Sequence, residues 1–141
     1  MNDRVNEYIR AWIGKADNDL KNAELVLAAR DENCPYDTVC FHCQQAVEKY
    51  LKAFLVHQDI SFPRSHNLSD LVVKCLQVDN SFLSIQRDAE ILTPYAVEMR
   101  YPDDSYIPSK EEAEEGYEIA CRIRDIILAK MGEGFQSEGG Q

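Results

Sequence analysis

The chain has 141 residues and a formal net charge of −10, and apolar and charged residues make up 45% and 28% of its sequence. This length accommodates one hydrophobic core rather than two domains, and this composition excludes a disordered or fibrous chain. The negative charge disfavours non-specific binding to nucleic acid, because the surface as a whole repels a polyphosphate.

The apolar runs of the sequence are short. Residues 126–129 (IILA) form one of the longest, far below the roughly 20 residues of a membrane-spanning helix, and residues 1–10 lack the apolar segment of a signal peptide. We therefore expect a cytoplasmic protein without membrane contact. The odd number of cysteines is typical of thiols in a reducing compartment, and we expect small buried hydrophobic side chains at Cys34, Cys40, Cys43, Cys75 and Cys121.

Two long helices open the chain. Apolar residues recur with helical spacing over residues 7–30, and again over residues 36–57 after the break at Pro35. At 100° per residue, one side of the second helix is apolar, with Val39, Cys43, Val47, Tyr50, Leu51 and Phe54. The opposite side of this helix is polar, and it is the surface in the sequence that is most informative about function.

Three shorter segments complete the predicted fold. Ser65 or Asn67 can cap a third helix, and Asp79 or Ser81 can cap a fourth, which Pro94 should kink or break near residue 93. The fifth helix begins at residue 109, because residues 109 and 112 (Ser and Glu) have the spacing of a capping box. It ends near residue 131.

No segment has the alternating pattern of a β-strand. The sequence therefore predicts an all-α fold, an antiparallel up-down bundle of about five helices over residues 1–131. Residues 132–141 are rich in Gly and Ser, and we expect a disordered tail there.

His42, Gln45, Lys49 and Lys52 follow the helical spacing i, i+3, i+7 and i+10 on the polar side of the second helix. They can line one groove and offer cations and amide donors to an anionic or nucleotide-like ligand. The alternative is a solvated helix face with an ordinary ion pair between Glu48 and Lys52.

Cys40 and Cys43 have the CxxC spacing of zinc and redox sites. No second pair of cysteines has such spacing, and both residues fall on the apolar arc of the second helix. We therefore predict two buried structural thiols, and we expect neither a metal nor a cofactor.

Other candidates lie outside the second helix. His66 can cap the third helix or point into the groove, and His57 is expected to be exposed at a helix end, where the dipole favours its cation. Arg100 with Tyr101 can clamp a phosphate or a carboxylate, although a salt bridge from Arg100 to a nearby aspartate is equally simple.

Residues 40–53 (CFHCQQAVEKYLKA) resemble the HEPN family, whose name refers to nucleotide binding. Residues 66–68 (HNL), 92–95 (LTPY) and 100–102 (RYP) are similar to later blocks of the same family and occur in the same order. The resemblance extends over about residues 7–131.

This resemblance implies a bundle of about five helices that often forms a homodimer. One implied function is the binding of a nucleotide, or of a minimal nucleotidyltransferase protein as a partner. The other is that of an RNase toxin from a toxin–antitoxin pair, whose activity uses an arginine, four to six intervening residues and a histidine. No histidine follows His66, so Arg100 lacks this general acid or base.

We therefore predict a HEPN-type domain that binds a nucleotide or a nucleotidyltransferase partner and is not catalytic. The predicted ligand-binding residues are His42, Gln45, Lys49, Lys52, His66, Arg100 and Tyr101. In this hypothesis the lysines and the arginine neutralise phosphate, the glutamine and the histidines form directional hydrogen bonds, and the tyrosine offers an aromatic face. The alternatives are an RNase toxin that recruits His42 or His66, and an oligomeric interaction module without a small ligand.

Overall fold

The computed structural model describes residues 3–96 and 107–135. These residues contain five α-helices and no strand: α1 (Asp3–Ala28), α2 (Tyr36–His57), α3 (Leu68–Leu76), α4 (Leu83–Leu92) and α5 (Lys110–Met131). The predicted all-α class and the number of helices are confirmed. The first helix begins four residues earlier than predicted, where Val5 packs against the core, and Arg30 has left the helix with a φ of 52°.

α2 is the central helix and packs against all four others. Its bounds match the predicted ones, and its apolar arc lies in the core, where Tyr50 and Leu51 are fully buried. α1 runs antiparallel to α2 along most of its length, so that Trp12 lies beside Lys52 and Asp19 lies beside His42. The contact between α1 and α2 therefore determines which polar side chains meet.

The helix ends follow local sequence signals. The Asn67 side chain accepts a hydrogen bond from the Ser69 N–H at 2.9 Å and caps α3, and Ser109 and Glu112 form both bonds of the predicted capping box at α5. Asp79 caps a 3₁₀ helix, Asn80–Phe82, that leads directly into α4. α4 ends at Leu92 and continues as a 3₁₀ turn, Thr93–Ala96, as Pro94 predicts.

The bundle continues past Met131, where the sequence predicted the start of a tail. Gly132 has a φ of 94°, and a 3₁₀ helix, Glu133–Phe135, returns towards α1 and α2. The Phe135 ring lies 5.3 Å from the His57 ring and 5.3 Å from the Arg10 guanidinium. His57 is therefore half-buried, and burial lowers its pKa, so the expectation of an exposed and readily charged His57 is wrong. Residues 136–141 lie outside the described residues.

A polar contact joins three helices through Asp17 of α1. The Tyr50 hydroxyl of α2 donates a hydrogen bond to Asp17 Oδ1, and Arg124 of α5 donates to the same oxygen through Nε at 3.1 Å. Burial, and then the bond to Asp17, raise the pKa of Tyr50, which therefore stays protonated and acts as the donor.

Within the described residues, no helix is sufficiently long and apolar to cross a membrane.

Candidate binding site on the polar side of α2

The CxxC pair belongs to the core, as predicted. Cys40 and Cys43 are fully buried free thiols, and burial raises the pKa of Cys40 to about 12 and that of Cys43 further. Cys75 is buried as well, whereas Cys34 and Cys121 are only half-buried, in contrast to the expectation for all five. In residues 3–96 and 107–135, no group of three or more His, Cys, Asp or Glu side chains could hold a metal ion.

The first polar cluster surrounds Asp19 of α1. His42 lies with Nδ1 2.8 Å from Asp19 Oδ1, and the Lys49 ammonium pairs with Oδ2 of the same carboxylate. The Asp19 side chain is 12% exposed, whereas that of His42 is 31% exposed. We call Asp19, His42 and Lys49 the Asp19 unit.

The second polar cluster surrounds Glu48 of α2. His66 lies with Nδ1 3.0 Å from Glu48 Oε1, and Lys52 Nζ lies 2.9 Å from Oε2. The Glu48 side chain is 5% exposed, whereas that of His66 is 56% exposed. We call Glu48, Lys52 and His66 the Glu48 unit.

Two glutamines lie beside the Glu48 unit. Gln44, which is fully buried, donates through Nε2 to the His66 carbonyl oxygen at 3.0 Å. Gln45 donates to Gln44 Oε1 at 2.7 Å. The loop that carries His66 is thus attached to α2 by its backbone as well as by its imidazole ring.

The geometry changes the expected role of the lysines. Lys49 and Lys52 were predicted as cations available to phosphate, but each is neutralised by a carboxylate that is nearly buried. Glu48 was expected on a solvated face, and it is buried because the chain after α2 returns past it to His66. The i, i+4 pair of Glu48 and Lys52 forms as the alternative hypothesis expected, but in a buried setting.

The site combines five of the seven predicted residues with three that were not predicted. His42, Gln45, Lys49, Lys52 and His66 all take part in the two units or in the glutamine bonds beside them. Arg100 and Tyr101 lie outside the described residues. The prediction omitted Asp19, Gln44 and the buried position of Glu48. Asp19 had a sequence signal, since it interrupts the apolar stripe of α1 three residues after Ala16.

Both histidines have the same hydrogen-bonding arrangement. A carboxylate only accepts hydrogen bonds when ionised, so Nδ1 of each imidazole carries the proton and donates it. Nε2 of each ring has no hydrogen-bond partner among the described residues. The two units therefore hold two oriented imidazoles, each with one nitrogen available to a ligand.

A surface cleft of about 430 Å³ lies elsewhere in the described part of the chain, where the end of α1 meets the beginnings of α2 and α5. It contains none of the predicted site residues. Its lining residues are Leu27, Arg30, Asp31, Glu32, Cys34, Tyr36, Lys110 and Glu114.

Fold and site together describe an all-α bundle with a polar site on its central helix. The model of the HEPN domain family matches residues 9–131. A protein of Methanocaldococcus jannaschii, named "Putative toxin MJ1304", is 29% identical over 144 residues, covering 92% of this chain and 91% of that protein. The chain belongs to the HEPN family, as the sequence blocks indicated.

Two crystal structures are similar to this one. ST0689, described as an archaeal HEPN homologue, has a TM-score of 0.68 and 27% identity and covers 88% of this chain and 98% of its own. TT1696 from Thermus thermophilus has a TM-score of 0.70 and 24% identity with the same coverage, and at that identity it supports the fold alone.

Proposed function

We propose that this HEPN domain binds a nucleotide on the polar side of α2, with His42 and His66 as the groups that contact the ligand. The observation that supports this proposal is the pair of imidazoles that Asp19 and Glu48 hold through Nδ1. Each leaves Nε2 as an acceptor for a directional hydrogen bond from a ribose hydroxyl or from an N–H group of a base.

The burial of the two carboxylates supports a ligand-binding role over a purely structural one. Asp19 and Glu48 are taken out of water, which costs free energy that apolar side chains in the same positions would not require. Two such units beside α2, each with an exposed or partly exposed histidine, favour a functional reason for that cost. Lys49 and Lys52 then act by fixing the carboxylates.

A thermal-shift screen against nucleoside mono-, di- and triphosphates, with and without magnesium, tests this proposal. A ligand at about 100 times its Kd stabilises the native state by about 2.7 kcal/mol, which for a chain of this size raises the midpoint by roughly 5 to 10 °C. The variants His42→Asn and His66→Asn keep an amide donor for the carboxylate but remove Nε2. We expect both to lose the shift while the midpoint without ligand changes little.

His57→Asn is the matched control, because this third histidine lies at the other end of α2, against Phe135. It should retain the full ligand-induced shift. If no nucleotide raises the midpoint of the unmodified chain, nucleotide binding is excluded. The interaction module, or a nucleotidyltransferase protein as the partner, then becomes the better hypothesis.

RNA cleavage by a toxin is the second candidate function. It is supported by the word toxin in the name of the Methanocaldococcus jannaschii relative and by the two oriented imidazoles, one of which could act as general base and the other as general acid. These histidines would replace the one that is missing after Arg100.

Growth arrest on expression, together with cleavage of a defined RNA by the purified chain, tests this second candidate. Cleavage should disappear in His42→Asn and in His66→Asn and persist in His57→Asn. Binding of nucleotides without any RNA cleavage would leave the binding function and remove the catalytic one.

A further inference from the structure

Three aromatic side chains lie beside the Glu48 unit. The Lys52 ammonium is 5.6 Å from the centroid of the Trp12 ring on α1 and 5.9 Å from that of the Phe62 ring, in the loop before α3. The Tyr8 ring is 6.0 Å from the Trp12 ring, in an edge-on arrangement. We call Tyr8, Trp12 and Phe62 the aromatic group. Because Lys52 contacts this group and also pairs with Glu48, the aromatic group adjoins the Glu48 unit.

The aromatic group is close to one of the two imidazoles. Lys52 Nζ and His66 Nδ1 bind different oxygens of the Glu48 carboxylate, at 2.9 and 3.0 Å. The two oxygens of a carboxylate are about 2.2 Å apart, so these two nitrogens are separated by at most about 8 Å. The ring centres of Trp12 and Phe62 lie within a further 5.9 Å of the lysine nitrogen. One small ligand can therefore reach both the rings and His66.

The fold covers the aromatic group only in part. Trp12 and Phe62 are half-buried against Lys52, whose side chain is 11% exposed. Tyr8 is 53% exposed, and among the described residues no other Phe, Tyr or Trp side chain is as exposed. Its edge-on contact with Trp12 favours one orientation of the ring. Covering the lysine explains the positions of Trp12 and Phe62, but it does not explain Tyr8.

A nucleotide combines the two kinds of group that this surface can bind. Its base is a flat ring whose face stacks on aromatic side chains, and its ribose hydroxyls can donate to Nε2 of His66. A purely apolar partner that covered the same surface would remove this acceptor from water without supplying a donor, which costs free energy. The combination of rings and imidazole therefore favours a nucleotide over an apolar protein segment.

We propose that the aromatic group is the base-binding part of the site, where the base stacks on the exposed surface of these rings while the ribose lies at His66. This inference rests on the proposed nucleotide-binding function and adds the subsite for the base. Stacking uses the face that every base has, so the subsite is expected to accept purines and pyrimidines alike. The Asp19 unit takes no part in this contact.

Trp12 fluorescence can follow the contact, because Trp12 is the only tryptophan of the chain. Adenosine monophosphate and ribose phosphate are the matched probes, since they share the sugar and the phosphate and differ only in the base. We expect adenosine monophosphate to change the Trp12 emission in a saturable way and to bind at least about tenfold more tightly than ribose phosphate. Cytidine monophosphate should also bind more tightly than ribose phosphate.

Leucine variants keep an apolar side chain but remove the flat ring. Tyr8→Leu and Phe62→Leu should each weaken the binding of adenosine monophosphate about fivefold, and the double variant should bind it no more tightly than ribose phosphate. Binding of ribose phosphate should be unchanged in all three variants. Because Tyr8 is exposed, Tyr8→Leu tests the proposal even if Phe62→Leu disturbs the fold. Phe41→Leu is the matched control, since its ring lies 5.6 Å from the His42 ring in the Asp19 unit, and it should keep the full affinity.

Equal affinity for adenosine monophosphate and ribose phosphate, an unchanged Trp12 emission, or full affinity for adenosine monophosphate in the double variant overturns the base subsite. A loss confined to Phe41→Leu also overturns it, because the base then lies at the Asp19 unit. If a nucleotide still raises the unfolding midpoint in these cases and His66→Asn abolishes the rise, the proposed function stands. If no nucleotide raises the midpoint, both fail.

Discussion

Asp17 and Asp19 lie two residues apart on α1 and both accept hydrogen bonds from α2, but their partners differ. Asp17 binds Tyr50 and Arg124, two groups that keep their protons throughout the neutral range. Asp19 binds Lys49 and His42, and an imidazole can gain or lose a proton in that range.

Under the proposed function, this difference distinguishes a carboxylate that stabilises the fold from one that orients a ligand-binding histidine. The partners of Asp17 come from α2 and α5, so this partly buried contact joins three helices. The partners of Asp19 are half-buried side chains of a single helix, and one has a ring nitrogen that is not used within the fold. The expected roles of the two carboxylates therefore differ because of the chemistry of their partners.

The largest expected effect is that of Asp17→Ala. The hydroxyl of the fully buried Tyr50 loses its acceptor, and Arg124 keeps only Asp125, 3.3 Å from its Nη1, as a carboxylate partner, so we expect the free energy of unfolding to fall by about 3 kcal/mol. Urea unfolding measures this loss. Tyr50→Phe removes one of the two bonds and should cost about 1 kcal/mol. Loss of ligand binding in Asp17→Ala without loss of stability would break the comparison.

Asp19→Ala should have a smaller effect on stability and a larger one on function. Lys49 and His42 are half-buried and reach water when Asp19 is removed, so we expect a loss of about 1 to 2 kcal/mol. The His42 ring loses its orientation, and the nucleotide-induced shift in the unfolding midpoint should disappear. If the shift persists in this variant, Asp19 is structural like Asp17.

Substitution of Asp79 has the smallest expected effect on stability, and this effect depends on pH only in acidic solution. Hydrogen bonds from Lys130 and then from Ser81 lower its pKa from the ordinary 3.8 to about 2. A lowered carboxyl pKa stabilises the fold above its unfolded value, and this contribution is lost as the pH falls through the folded value. Asp79→Asn should therefore be less stable than the unmodified chain at neutral pH.

The stability difference for Asp79→Asn should be constant above about pH 4 and vanish near pH 2, as urea unfolding at several pH values can measure. Asp79 contributes nothing to the pH dependence of stability in the neutral range, because it is ionised there in both the folded and the unfolded chain. If the stability difference between Asp79→Asn and the unmodified chain varied with pH in the neutral range, the ionisation of Asp79 would be coupled to that of another group.

Local signals predicted the fold well. Helical spacing and Pro35 set the bounds of α2, and the capping box at Ser109 set the start of α5, because these signals act within one or two turns of helix. The segment after Met131 was missed for the opposite reason. Its 3₁₀ helix depends on Phe135 finding His57 and Arg10, which are distant in sequence.

The site was predicted only in part, for a related reason. Spacing along α2 identified His42, Gln45, Lys49 and Lys52, since these residues share one side of one helix. It could not identify Asp19, whose place beside Lys49 follows from the antiparallel packing of α1 on α2. Burial of Glu48 depends on the return of the chain to His66, which no helical periodicity encodes.

The segment around His66 is connected to the end of α4. The Leu68 N–H donates to Thr93 Oγ1 at 3.2 Å, and this hydroxyl donates to the Ala89 carbonyl oxygen at 2.9 Å. A ligand that shifts the backbone from His66 to Leu68 would strain this bond to Thr93, the residue that follows α4. The hydrogen-exchange rate of the Leu68 amide would therefore report such a backbone movement. The same bond would transmit the movement to α4, since the Thr93 hydroxyl is bonded to Ala89.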